Sequence, residues 1–141
     1  MYLYQPRNLN LSGCTDRSLP IINSEESNNM QSSQLGFNPN YAEDAPTLEQ
    51  VSGLIGDALL EFGVPWCGHC QAARPAVEEV LNEHLKLPHI KLYDGKGKPL
   101  GRAFRVKLWP TLILLHDGKE VARLVRPLNT DEVRQLLAQC A

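Results

Sequence analysis

Ala58-Leu59-Leu60-Glu61-Phe62-Gly63-Val64-Pro65-Trp66-Cys67-Gly68-His69-Cys70 is the stretch whose reading decides the fold. Ala58 to Phe62 is a short, mostly apolar run that reads as a buried strand, continuing to Gly63. Gln71 to Leu87 has helical character, with Ala73, Ala76, Val77, Val80, Leu81 and Leu85 spaced as one buried face. Two cysteines two residues apart, between a strand and a helix, fit a dithiol that opens and closes as a disulfide. The free N–H groups and the macrodipole at a helix N-terminus favour negative charge. A thiolate there is stabilised, and the thiolate is the nucleophile.

Further elements follow outward from this stretch. Upstream, Thr47 caps a short helix that closes at Gly53 and Gly56. Downstream, Pro75 predicts a kink in the motif helix. Ile90 to Tyr93 is a second strand, Asp94 to Pro99 a turn-rich loop, and Leu100 to Val106 a short helix with Ala103 and Phe104 facing in. Leu112 to Leu115 is an apolar run, and His116-Asp117-Gly118-Lys119 is a hairpin turn signal. Glu120 to Val125 alternates as a half-buried strand that Pro127 ends. Asn129 or Thr130 caps a last helix with Val133, Leu136, Leu137 and Cys140 on its inner face. The order helix, strand, helix, strand, helix, hairpin, helix predicts an α/β domain: a mixed sheet with helices on both faces.

Residues 1–40 read as a poorly ordered polar leader and 41–141 as the domain. Asn23 to Gln34 is rich in Ser, Asn, Glu and Gln and can bury little apolar surface. Met30 within it offers an alternative start of translation. The 141 residues suit one domain, and a net charge of −2 gives no basic excess for nucleic acid or an anionic membrane. No apolar run approaches the ~20 residues of a membrane span. The N-terminus lacks the apolar core of a secretory signal. A cytoplasmic protein, or one whose leader has been removed, is expected. In a reducing compartment paired cysteines are more often catalytic or metal-bound than structural. Cys14 and Cys140 read as incidental. A structural zinc site needs four ligands; there is no second Cys-X-X-Cys, and His69, His84 and His89 have no ligand spacing, so redox chemistry is favoured over metal.

From about Leu48 to the end the chain resembles the thioredoxin family. The resemblance rests on Trp66-Cys67-Gly68-His69-Cys70 at a helix start, Pro75 after the second cysteine, Trp109-Pro110-Thr111 in the place of the cis-proline segment, the Asp117-Gly118 hairpin and the last helix. It implies the thioredoxin fold, a central mixed β-sheet flanked by helices. Glu61 and Cys67-Gly68-His69-Cys70 look like the active sites of protein disulfide isomerases; typical thioredoxins have Asp at the place of Glu61 and Pro at that of His69.

The resemblance assigns Cys67 as attacking nucleophile and Cys70 as resolving thiol. Among apolar neighbours the Glu61 carboxylate would be buried, with its pKa raised unless paired. The resemblance makes it the general acid/base for Cys70, tuned by Lys91; a sheet-edge Glu facing solvent is the alternative. His69 would stabilise the Cys67 thiolate and make the disulfide more oxidising, or be a solvated surface histidine. Pro110 is expected to be cis, with the backbone of Trp109 pairing with an extended substrate. Trp66 and Trp109 would frame an aromatic, apolar groove, unless the indoles pack in the core; Gly68, His69 and Pro110 join them as substrate-binding residues. Arg126 stands near a usual glycine, narrowing or charging the groove, or is solvated.

The implied function is a thiol–disulfide oxidoreductase acting through a Cys67 mixed disulfide. A disulfide isomerase or oxidase is one alternative; a non-catalytic binding or chaperone module with an idle dithiol is the other. No bound cofactor or metal is implied. Electrons would come from thioredoxin reductase and NADPH, or from glutathione. The expected partners are proteins bearing disulfides and a reductase, with no nucleic acid or membrane, and the chain is expected to be a monomer.

Overall fold

The central strand of the sheet is the one that precedes the cysteines. In the computed structural model, which describes residues 33–140, that strand, β2 (Asp57–Gly63), is buried along nearly its whole length. Its neighbours are β3 (Pro88–Tyr93), parallel to it, and β4 (Thr111–His116), antiparallel. β1 (Ser33–Leu35) adds antiparallel to β3, and β5 (Lys119–Val125) antiparallel to β4, giving the order β1-β3-β2-β4-β5. The parallel pair requires a crossover, supplied by α2 (Gly68–Leu81).

Helices cover both faces, as the element order predicts. On one face Leu59, Leu112 and Leu114 pack against Val77, Val80 and Leu81 of α2 and Val133 and Leu137 of α4 (Thr130–Leu137). On the other, Leu60, Phe62 and Ile113 pack against Val51 of α1 (Leu48–Ser52) and Leu100 of α3 (Pro99–Ala103). The helix starts are written locally. Thr47 and Gln50 form a reciprocal capping box on α1, and Gly53 closes it. The Asn129 side chain accepts from the Glu132 N–H at the start of α4, with Asp131 and Glu132 in the first turn.

Several boundaries differ from the sequence reading. α2 runs through Pro75 but stops at Leu81, and Leu85 is 65% exposed. The spacing from Leu81 to Leu85 imitates a continuing helix face, but the chain turns there and Leu87 takes the buried position instead. α3 starts at Pro99, whose missing N–H is free of cost at a first turn. It therefore buries Leu100 and Gly101, leaves Ala103 exposed, and keeps Phe104 partly buried beside Phe62. β3 begins at Pro88, so His89 lies within the strand rather than ahead of it.

The boundary expected at residue 41 falls inside the sheet layer. β1 pairs with the start of β3, and the Gly36 N–H donates to the Leu87 carbonyl. Further along, Ala42 bridges in parallel to Leu92, its N–H donating to Lys91 and its carbonyl accepting from Tyr93. Residues 33–42 thus line the outer edge of β3. A three-residue polar edge strand has no apolar alternation to announce it. Residues 1–32, with Met30 and Cys14, lie outside the described residues. Cys140, expected to be incidental, is disulfide-bonded.

The β4–β5 turn uses Asp117 at φ 51° and Gly118 at φ 79°, the backbone a two-residue hairpin requires. A Cβ on Gly118 would also collide with the Ser52 carbonyl. Gly118→Ala is expected to cost roughly 1–3 kcal/mol, the range for a residue held in a disfavoured backbone region, read as a lower urea midpoint with an unchanged slope.

Candidate active site

Cys67 is the N-cap of α2 and Cys70 its third residue. The sequence forces this asymmetry. Val64 ends the buried run, Pro65 and Trp66 turn outward, and the helix then carries Cys70 back beneath the surface. Cys67 is partly exposed and Cys70 is buried; both are free thiols, so the structure is that of the dithiol.

The two sulfurs are tuned in opposite directions. Burial acts to raise the Cys67 pKa, but hydrogen bonds from the Cys70 backbone and thiol and the His69 backbone, with the positive charge of Arg126, hold it below the ordinary thiol value. Cys70 is pushed up to about 11, chiefly by burial and further by Cys67, against a partial lowering by the Val64 backbone and Tyr41. A nucleophile at the helix start and a protonated thiol one turn below it are what these environments produce.

Glu61 is 3% exposed, on the sheet face that α2 covers. Residues two apart on a strand share a face, so the register Leu59↔His89 and Glu61↔Lys91 brings both basic side chains to the carboxylate. His89 Nε2 lies 2.7 Å from Glu61 Oε1. The Asn38 backbone N–H donates to His89 Nδ1 at 2.9 Å, so the ring proton is on Nε2 and donates to Glu61. The Tyr41 hydroxyl donates to Glu61 Oε2 at 3.3 Å. Burial alone would raise the Glu61 pKa, but these donors and the charge of Lys91 outweigh it and hold the carboxyl below its ordinary value. The raised pKa expected for an unpaired acid is thus reversed by pairing. Lys91 is itself buried, and burial lowers its pKa against the pull of Glu61. Its ammonium donates to the Pro39 carbonyl at 3.3 Å and sits 4.4 Å from the Tyr41 ring centroid.

The structure therefore joins Cys67, Cys70, Glu61 and Lys91, and adds His89, Tyr41 and Asn38. His89 was discoverable from its even spacing to Lys91 on one strand face. Tyr41 and Asn38 carry no local signal, because they reach the acid only through the edge segment.

The Trp109–Pro110 peptide is cis. The two tryptophans have separate settings. Trp66 is 67% exposed and meets Tyr93 edge-on at 5.3 Å. Trp109 is half-buried, and its indole N–H donates to Asp94 Oδ2 at 2.8 Å. It lines a cavity of about 240 Å³ with Lys98, Arg102 and Lys107. The apolar groove expected from two indoles is one open indole beside a cationic recess. Gly68 and His69 are both exposed at the start of α2. Arg126 adopts φ 53° and donates from Nε to the Trp109 carbonyl at 2.8 Å. It is thus not simply solvated: it fills the acceptor of the residue before the cis-proline. Among the described residues no cluster of three or more His, Cys, Asp or Glu side chains could hold a metal ion.

Comparison with known proteins agrees with this geometry. The thioredoxin family model matches residues 44–139. The chain is 35% identical to a thioredoxin of Chlamydia trachomatis over 63% of this chain and 84% of that protein. It is 33% identical to a protein disulfide-isomerase of Hordeum vulgare, over 56% of this chain but only 17% of that longer protein. Among solved structures, thioredoxin 2 of Pseudomonas aeruginosa in its reduced form superposes with a TM-score of 0.64 at 45% identity, over 72% of this chain and 97% of that one.

Two outcomes are expected. Iodoacetamide should alkylate Cys67 along a pH profile centred below the ordinary thiol value, leaving Cys70 untouched at neutral pH; Arg126→Gly should move that profile upward, and glycine suits the positive φ of this position. The Glu61 carboxyl, depressed in the folded state, contributes stability that is present above its unfolded pKa and lost as pH falls through the folded one. His89→Phe should cost about 1–3 kcal/mol at neutral pH, as a buried acceptor loses a donor. It should also move the acid limb of the urea midpoint against pH to higher pH.

Proposed function

Since the chain belongs to the thioredoxin family and is a thiol–disulfide oxidoreductase, we propose that Cys67 opens protein disulfides and Cys70 closes the cycle. The Cys67 thiolate attacks one sulfur of a substrate disulfide. That S–S bond breaks, its electron pair leaves on the other substrate sulfur, and a mixed disulfide remains on Cys67. Cys70 then attacks Cys67 Sγ, the Cys67–Cys70 bond forms, and the second substrate thiolate leaves. Two electrons pass from the dithiol to the substrate, and no prosthetic group is needed. The observation that carries this reading is the placement of the two free thiols, Cys67 partly exposed at the N-cap of α2 and Cys70 buried one turn further in.

Glu61 serves as base for Cys70 and Lys91 sets its strength; their register supports the assignment. Trp66, Gly68 and His69 receive the substrate on one side, and the Trp109–Pro110 segment on the other. Arg126 and the lysines and arginine beside Trp109 favour acidic partners. Among the described residues no helix is long and apolar enough to cross a membrane. The proposed setting is a cytoplasmic monomer that draws electrons from thioredoxin reductase and NADPH, or from glutathione.

Insulin reduction driven by NADPH and thioredoxin reductase tests this directly. Wild type should turn over and Cys67→Ser should not. No turnover with the reductase but activity with glutathione or dithiothreitol would mean a different electron donor and favour the isomerase or oxidase reading that Cys67-Gly68-His69-Cys70 also supports. Silence with every donor would favour a binding module. The reduction potential is expected between roughly −270 mV and −180 mV, nearer the second, the benchmarks of thioredoxin and protein disulfide isomerase. Equilibration with glutathione measures it, and a value at or below the first would refute the His69 imidazole as a stabiliser of the thiolate.

A further inference from the structure

We propose that the Tyr41 hydroxyl is a catalytic proton relay between Cys70 and Glu61; this rests on the reading of Cys70 as resolving thiol and Glu61 as its base.

Cys70 must lose its proton to attack, yet the acid that would take it is engaged elsewhere. Glu61 Oε1 is held by His89 at 2.7 Å. Its other oxygen, Oε2, faces Tyr41 at 3.3 Å. The same hydroxyl and the Cys70 sulfur border one space beside Gly63, and each shifts the other's acidity. Gly63 vacates the space where they meet: a Cβ on it would lie 2.6 Å from Cys70 Sγ and 3.0 Å from Tyr41 Oη. A hydroxyl has one proton to donate and lone pairs to accept with. Donating to Glu61 leaves a lone pair for the Cys70 S–H.

The ring is held for this task. Lys91 sits over its face, and the neighbouring Ala42 is hydrogen-bonded into β3 on both sides of its peptide. Burial, with the Glu61 charge, raises the phenol pKa, so a free phenolate is avoided and the proton moves only in exchange.

The Cys70 S–H proton passes to Tyr41 Oη while the Tyr41 O–H proton passes to Glu61 Oε2. The Cys70 sulfur attacks Cys67 Sγ of the mixed disulfide. The Cys67–Cys70 bond forms, the Cys67–substrate bond breaks, and its electron pair leaves on the substrate sulfur, which takes a proton from water. The dithiol is oxidised and the substrate reduced. Glu61 returns its proton to solvent by way of half-buried Tyr41. The lowered pKa of Glu61 favours that return.

Stopped-flow reaction of the dithiol with 5,5′-dithiobis(2-nitrobenzoate) separates the two sulfurs. The first nitrothiobenzoate released reports Cys67 attack and the second reports Cys70 resolution. Tyr41→Phe should leave the first phase unchanged and slow the second about tenfold, the worth of one hydrogen bond to an ionised group. Glu61→Gln should slow the second phase as well, and Tyr41→Phe/Glu61→Gln should be no slower than Glu61→Gln alone, because both act on one path. A wild-type second phase in Tyr41→Phe beside a slow Glu61→Gln overturns the relay and leaves Glu61 as base. Multiplying effects overturn it too. A wild-type second phase in Glu61→Gln instead overturns the underlying reading of the acid. If Tyr41→Phe does not fold, a proton inventory of the wild-type second phase decides: a bowed dependence on deuterium fraction supports two protons in flight, and a linear one overturns the relay.

Discussion

A carboxylate in the central strand of a sheet is the constraint around which this molecule is arranged. Glu61 occupies a position whose neighbours on the same face are core leucines. A charge placed there is tolerated only with donors in place. Two come from different parts of the chain. β3 supplies His89 by register with β2, together with the charge of Lys91. The edge segment supplies the Tyr41 hydroxyl, and also Asn38, whose backbone N–H fixes the ring proton of His89 and whose side chain donates to the His89 carbonyl. Residues 33–42 therefore complete the polar centre as well as capping an exposed edge.

The same geometry explains why two cysteines of one motif behave differently. A spacing of three along a helix is about one turn. Here that turn spans the boundary between solvent and core, so Cys67 meets N–H groups and a guanidinium while Cys70 meets apolar burial and a phenol. The reactive sulfur and the stored one differ in environment, with no difference in chemistry to begin with.

Much of this was legible in the residues. Alternating strands and helices, the Thr47 and Asn129 caps and the Asp117-Gly118 turn specify the layers because each is a local signal. Cys67, Cys70, Glu61 and Lys91 were found from the motif and its resemblance, and the structure brings them together. Tyr41 and the register role of His89 were missed for one reason: each depends on which strand edge a distant segment lies against. Leu85 and Ala103 misled through correct periodicity carried past the end of a helix. The indole of Trp109 misled because its partner, Asp94, belongs to a loop whose shape the sequence does not announce.

The contacts that ready the dithiol are long in sequence: 51 residues from Asn38 to His89, 28 from Glu61 to His89 and 20 from Tyr41 to Glu61. The last two also need the parallel β2–β3 pair, which closes only across α2. Contacts of this kind form late, because loop-closure entropy precedes their reward. The burial of Cys70 and the pairing of Glu61 are therefore properties of the closed sheet, not of the Cys-X-X-Cys segment alone. The asymmetry of the pair is thus a product of tertiary structure, because a spacing of three residues by itself buries neither sulfur.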